Sequence, residues 1–405
     1  MSKINKKDFL PYAKQSIDDD DIEAVISVLK SDFLTTGPVV TEFEDMFSEV
    51  LNVPHAVSCS SGSAALHLAY LSLDLGPGNY VVIPSVTFLA TANMVLHTGA
   101  EIIFCDVDPK TGLASAETIR EAIEFEGKRV SVITVVHMAG QIPDMQSISK
   151  LALELDVQVI EDACHALGSL DPSGDPVGRC SNSAATIFSL HPVKAIAGGE
   201  GGVITTRDAE IACSMRRIQN HGMIRQNFTD LNQALSENGQ VNPWYYEMLN
   251  PGFNYRLSDI HAALAKQQLT KLKHFTEHRS SLVKRYDAII STMPDDFRSF
   301  IRPSGRTSCG EVAWHLYIVL IDFKGLGCDR FTVMQYLKSK GIGTQVHYLP
   351  LHMQPYYRKR YGKKYLPGAE DWYAQTLSLP LHVGMEYEDV DRVISVLSEA
   401  LVKCR

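Results

Sequence analysis

Between residues 56 and 206 the chain alternates short apolar runs with helical patterns, and this alternation restricts the fold more than any other feature. The candidate strands are Val81 to Ile83, Ile102 to Phe104, Val130 to Val136, Val157 to Ile160 and Ala184 to Phe188. Several are apolar on both faces, as strands covered by helices on both sides are. The segments between them are long enough for crossover helices. The pattern predicts an α/β architecture with a mostly parallel sheet. A chain of 405 residues exceeds a single compact core. The expected division is a large domain over 1–265 and a smaller α+β domain over 266–405.

Outside that region, Ser16 to Lys30 reads as a helix. Its acidic first turn at Asp18 to Asp21 suits the helix dipole, and Ile22, Val25, Ile26 and Leu29 share a face. Ser258 to Glu277 is a strong helical pattern leading out of the large domain. Two more, Phe331 to Lys340 and Tyr387 to Lys403, accompany short strands such as Leu316 to Ile321. Residues 223–250 are polar and aperiodic with a few aromatics. They read as a surface excursion ordered by a partner subunit or a ligand.

The net charge of -9 argues against a nucleic-acid partner, though it leaves room for a local pocket for a small anion. The basic start, MSKINKKDFLPYAKQS, has no apolar run, and no stretch is long enough to span a bilayer. The eight cysteines are scattered without a CxxC pair. That pattern fits a reduced, cytoplasmic protein with no zinc site and no disulfide framework.

Three segments carry candidate chemistry. In Ile187 to Thr205 a strand leads through Ser189 and a short turn to Lys194, then to Gly198-Gly199-Glu200-Gly201-Gly202. Burial lowers a lysine's pKa and makes it a nucleophile fit for Schiff-base chemistry. Glycines allow backbone to pack beneath a flat ligand. The bland reading is a surface lysine in a loop. In Val157 to Gly168 an apolar strand runs into Glu161-Asp162, where α/β folds bind ligands. Asp162 could hold a pyridine nitrogen protonated or cap the next helix, and His165 could donate to a phenolic oxygen. In Ser58 to Leu73, Ser60-Ser61-Gly62-Ser63 precede a helix whose N-terminus suits a phosphate, or is a plain N-cap. Phe88 follows another strand end, as a ring cover or as core. Asn254 precedes the Ser258 helix, where a turn residue alone would suffice.

Together these segments resemble the DegT/DnrJ/EryC1/StrS family of sugar aminotransferases, which have the aspartate-aminotransferase fold (fold type I among pyridoxal-phosphate enzymes). The likeness runs from Leu34-Thr35-Thr36-Gly37-Pro38 to Leu379-Pro380-Leu381-His382. The family's lysine motif stands here as FSLHPVKAIAGGEGG. Three further motifs appear in order as EDACHALG, SGSAAL and NYRLSDIHAALAKQQL. The resemblance implies pyridoxal 5'-phosphate bonded to Lys194, which also moves the proton. It implies Asp162 on the pyridine nitrogen, Cys164 against the ring, His165 near the phenolic oxygen and Phe88 on the other face. Ser63, the Ala64 amide and Ser189 would hold the phosphate, and Asn254 would reach it from the other subunit of a homodimer with shared sites.

Two departures stand out. Ala197-Gly198 replaces the usual Thr-Thr, which removes a hydroxyl near the lysine, and Ser63 replaces a Thr. His191-Pro192-Val193-Lys194 and Gly341 to Tyr348 look most like the pseudaminic-acid-pathway branch. Such enzymes move an amino group from L-glutamate to C4 of a UDP-linked 4-keto-6-deoxy-N-acetylhexosamine. Arg256 is a candidate for the donor carboxylate or a structural ion pair, and His347 and Tyr348 are candidate substrate contacts. A sugar dehydratase of the same family would carry histidine in place of Lys194. A non-catalytic sugar-binding regulator would not need the lysine at all.

Overall fold

The computed structural model describes residues 9–294 and 298–404. The first eight residues of the basic start lie outside the described residues. Seven strands form one sheet in the order β1 (His55–Cys59), β7 (Gly202–Thr206), β6 (Ala185–Ser189), β5 (Gln158–Asp162), β4 (Val132–Val136), β2 (Tyr80–Pro84) and β3 (Glu101–Cys105). β7 runs antiparallel to both its neighbours, and the other four pairings are parallel. β4 reads Val-Ile-Thr-Val-Val and is buried throughout, as β-branched side chains in a doubly covered sheet are.

The expected strands are all present, with shifted ends. β5 continues through Glu161-Asp162 and β6 through Ser189. Backbone pairing does not stop where apolar side chains stop, so polar groups ride to the carboxyl edge on rigid strands. The edge strand β1 was not singled out from the sequence.

Alternate strand residues feed two cores. On one face Val82, Ile133, Val159 and Val203 pack with helices α2 (Pro38–Leu51), α5 (Ala116–Glu126), α6 (Met145–Leu155) and α9 (Asp259–Thr270). On the other, Val81, Val132, Ile160 and Ile204 pack with α3 (Gly62–Ser72), α4 (Leu89–Thr98) and α7 (Ala209–Ile218). Helix α1 (Asp19–Leu29) lies against α9. It begins three residues later than expected because Asp18 and Asp21 form a capping box.

The helix expected over 258–277 is two helices. α9 ends at Thr270, and α10 (Leu272–Ser291) starts after a bend at Lys271. α10 packs onto a three-stranded antiparallel sheet of β10 (Ile301–Pro303), β11 (Tyr317–Ile321) and β12 (Thr376–Leu379). α11 (Arg330–Ser339) and α14 (Tyr387–Cys404) complete that core around Tyr286, Val319, Val333 and Leu397. α12 (Pro355–Tyr361) and α13 (Pro367–Gln375) bridge back toward the large sheet.

The 223–250 segment holds only the short α8 (Leu231–Ala234) and a ribbon of β8 (Met223–Ile224) with β9 (Glu247–Met248). It leaves Trp244, Tyr246 and Met248 more than half exposed. One expectation is overturned. Cys328 and Cys404 form a disulfide across 76 residues, which leaves six free cysteines. Neither cysteine has a sequence neighbour to betray the pair, because the fold of the second core brings them together.

Candidate active site

A cavity of about 460 Å³ opens at the carboxyl ends of β5 and β6. Each wall follows from a local rule. β5 delivers Asp162 and hands on to Cys164 and His165, while β6 delivers Ser189 and, five residues on, Lys194. α3 begins at the cavity with Ser61 as N-cap, its hydroxyl accepting from the Ala64 amide at 3.1 Å. The β7 strand passes so close that a Cβ on Gly202 would lie 2.4 Å from the Ser61 carbonyl oxygen. A Cβ on Gly62 would meet Ser189 at 3.0 Å. Backbone and small hydroxyls therefore line this end.

Asp162 is 6% exposed and held on two sides. Thr91 donates to its Oδ2 at 2.7 Å, and the Cys164 amide donates to its Oδ1 at 3.3 Å. Thr87 and Thr91 share a further hydroxyl contact at 2.9 Å. A carboxylate has about four acceptor sites, so capacity remains for a donor in the cavity. Asp162 does not cap a helix. Behind it, the neighbouring Glu161 points to the opposite face and accepts from His137, Ser183 and Thr186. Those donors hold the Glu161 carboxyl below the usual carboxylate range despite its burial.

Lys194 is half-buried at the cavity wall. Burial lowers its pKa, against the opposing pull of Cys164 and Asp162. Three histidines stand round it. His165 lies 4.5 Å from His315 between ring centroids and accepts or donates at 3.2 Å with the Tyr348 hydroxyl. Its Nδ1 has no partner among the described residues. Burial, and then the Lys194 charge, push both rings well below the ordinary histidine value. His347, fixed by Ser378 at 2.7 Å, is lowered to about 3 by burial and Lys194. The rings are therefore neutral at pH 7 and serve as hydrogen-bonding groups. Phe88 is 55% exposed at the mouth, with its ring 6.1 Å from that of Tyr348.

The structure thus gathers Ser63, Phe88, Asp162, Cys164, His165, Ser189, Lys194, His347 and Tyr348 on one cavity. Ala64 sits one residue behind the lining, its amide committed to the Ser61 cap. Asn254 is exposed and pairs through its backbone with Asn220, away from the cavity of its own chain. Arg256 donates to the Asn220 side chain at 2.7 Å and does not line the cavity. Sequence reasoning missed Thr91, Tyr12, Gln345 and His315. Thr91 lies 71 residues from the carboxylate it holds, and no spacing signal marks such a contact. Among the described residues no group of three or more His, Cys, Asp or Glu could hold a metal ion.

The residues present fit pyridoxal phosphate. A buried carboxylate with spare acceptor sites, an orphaned imidazole nitrogen, a hydroxyl-lined helix start and a half-buried amine surround one volume. Residues 15–398 match the DegT/DnrJ/EryC1/StrS aminotransferase family. The chain belongs to this family. Its members are pyridoxal-phosphate-dependent sugar aminotransferases, and so is this protein. It is 36% identical over 394 residues to the spore coat polysaccharide biosynthesis protein SpsC of Bacillus subtilis, covering 96% of this chain and 97% of that one. Its fold is similar to Helicobacter pylori PseC, an aminotransferase involved in the biosynthesis of pseudoaminic acid. The TM-score is 0.86 at 28% identity, over 98% of this chain and all of that one. It is also similar to DesI, solved in the presence of its TDP-sugar product, with a TM-score of 0.84 at 27% identity over 98% and 94% of the chains. These neighbours share the fold type I architecture expected from the motifs.

Proposed function

We propose that this aminotransferase takes the amino group of L-glutamate and delivers it to a nucleotide-linked 4-keto-6-deoxy sugar. On this reading the nucleotide is UDP, and the product feeds surface-glycan or nonulosonic acid synthesis in the cytoplasm. The observation that carries the reading is the convergence of Asp162, His165 and Lys194 on one cavity whose remaining walls, Gln345 to Tyr348, leave room for a second molecule. The likeness to PseC and DesI supports a sugar substrate joined to a nucleotide. The reading also places the division between large and small domains near residue 265, supported by the separate core around β11.

Bound pyridoxal phosphate supplies an electron sink that lets a C–H bond beside the amine be broken. The chain's own groups do the rest. Asp162, braced by Thr91, would meet the ring nitrogen and keep it protonated. Ser63, Ser189 and the start of α3 would hold the phosphate, the Ala64 amide joining them by exchanging the Ser61 hydroxyl for it. Cys164 and Phe88 would hold the two ring faces, and His165 would serve the phenolic oxygen with the Nδ1 that has no partner among the described residues. Lys194 then carries one proton on Nζ, taking it from the donor's α-carbon and releasing it to complete the transfer. Burial favours the neutral amine that this needs.

Two copies of the chain would share the sites, with Asn254 of each reaching the phosphate of the other. The exposed Trp244, Tyr246 and Met248 support such a partner. In this arrangement Arg256 meets the donor carboxylate only from across the pair.

The test is addition of L-glutamate alone to the cofactor-loaded enzyme. The expected result is one equivalent of 2-oxoglutarate and conversion of the cofactor absorbance to its amine form. No conversion would sink the transaminase reading. A panel of UDP- and dTDP-linked keto-sugars, read by product mass, then decides the acceptor.

A further inference from the structure

The turn that carries Lys194 runs directly into Ala195-Ile196-Ala197-Gly198. This stretch is buried and has no side chain able to hydrogen-bond. Its ends are tied locally: the Lys194 amide donates to the His191 carbonyl and the Gly198 amide to the Leu190 carbonyl, both at 2.8 Å. The backbone between them has to find partners elsewhere.

Two buried polar side chains supply them. The Ala197 amide donates to Gln268 Oε1 at 3.3 Å, and Arg279 Nη2 donates to the Ala195 carbonyl at 3.4 Å. Gln268 sits on α9 and is 1% exposed; Arg279 sits on α10 and is 5% exposed. Gln268 has no freedom to turn over. Its Nε2 donates to the Ser16 carbonyl at 2.9 Å and to Asp21 Oδ2 at 2.7 Å, which leaves its oxygen for Ala197. Asp21, wholly buried on α1, is also paired with Lys271 at 2.9 Å. Arg279 has no carboxylate partner among the described residues, and burial alone pulls its pKa down, to about 10. A buried cation without a counter-ion is a poor choice for stability, so its placement against this carbonyl calls for a use.

We propose that Gln268 and Arg279 are positioning residues for Lys194. They clamp residues 195–197 from α9 and α10, with α1 as the outer brace through Asp21. The clamp stands where the family's usual hydroxyls are replaced by Ala197-Gly198. Neither residue touches the cavity. The assignment rests on Lys194 being the reacting amine.

Four variants test it: Gln268→Leu, Gln268→Glu, Gln268→Glu with Asp21→Asn, and Arg279→Lys. Three readouts separate positioning from mere packing. The first two use cofactor-free full-length protein: amide exchange at Ala197, and the pH midpoint for labelling Lys194 with an amine reagent. The third is the half-reaction with L-glutamate. Gln268→Leu should speed Ala197 exchange and shift the labelling midpoint. A small misplacement of the amine should slow its half-reaction about tenfold or more. Gln268→Glu keeps an acceptor for Ala197 but sets two carboxylates together. Asp21→Asn added to it removes the repulsion and returns a donor to this pair, though not to the Ser16 carbonyl, and should move all three readouts back toward wild type. Arg279→Lys keeps the charge but loses the planar reach, and should shift the labelling midpoint.

Unchanged exchange and midpoint in Gln268→Leu would overturn the proposal. So would a double variant no better than Gln268→Glu, and that comparison decides the matter if Gln268→Leu does not fold. A wild-type enzyme that ignores glutamate would defeat the functional reading instead, while Ala197 exchange would still report on the clamp.

Discussion

The strand-end floor of the cavity and the 223–250 excursion, with the loop that follows it to Arg256, are built on opposite terms. At the floor, Asp162, Glu161 and the 195–198 stretch behind Lys194 are buried and tied by named bonds to Thr91, His137 and Gln268. In the excursion, secondary structure is minimal and large apolar side chains face outward, Trp244 being 75% exposed. Arg256 donates one hydrogen bond to Asn220, and Asn254 lies outside its own chain's cavity. The difference teaches that the groups proposed for proton transfer are ordered by bonds within one chain, while the apolar side chains of the excursion have no such ties and suit the proposed partner.

The sharpest way to break this contrast is Lys194→Ala. Removing the amine should abolish turnover, a loss of about 10⁴-fold or more for a proton carrier that is also the covalent anchor. Steady-state transfer from glutamate measures it, and a variant with ordinary turnover would mean the floor is not the reacting centre. Asp162→Asn comes next. It keeps the shape and removes the charge, and should slow the glutamate half-reaction about 100-fold or more. A loss confined to cofactor affinity would instead make Asp162 a mere docking group.

Acid should expose two histidines buried outside the floor, His347 on the cavity wall and His382 away from the cavity. His347 is lowered to about 3 and His382 to about 4, both by burial first, from an ordinary value of 6.5. The unfolded chain binds these protons and the folded one does not. Stability is then full above pH 6.5 and falls as pH drops toward the folded values, by roughly 2 kcal/mol per histidine at pH 5. Urea unfolding at pH 7 and pH 5 reads the slope, and His347→Gln should flatten it. A slope unchanged by that variant would remove His347 from the explanation.

The smallest effect is expected in the excursion. Trp244→Ser should change the unfolding free energy of the chain by less than about 0.5 kcal/mol, as exposed substitutions do. In sedimentation it should weaken self-association. Unaltered association would place the partner surface elsewhere.

Much of the floor was legible in the sequence because strand ends are local facts. An apolar run followed by Glu161-Asp162, or by Ser189 and then Lys194, states its own position at a sheet edge. The helix start at Ser61 was equally local. What could not be read forms through space. Thr91 reaches Asp162, His315 reaches His165, and Gln268 reaches Ala197, each from a distant part of the chain. The bend at Lys271 escaped periodicity, since helical spacing continues on both sides of it. The Cys328–Cys404 bond escaped cysteine spacing because the fold of the second core joins residues 76 apart in sequence. Arg256 adds a contact that its residue type did not announce: within its own chain the guanidinium donates to the Asn220 side chain.

The central claim is that Lys194 is the amine that bonds to the cofactor. Borohydride reduction of the enzyme loaded with pyridoxal phosphate, followed by peptide mass mapping, tests it most directly. The account predicts a single pyridoxyl adduct on Lys194. An adduct on another lysine, or none on a protein that still transfers amino groups, would contradict it.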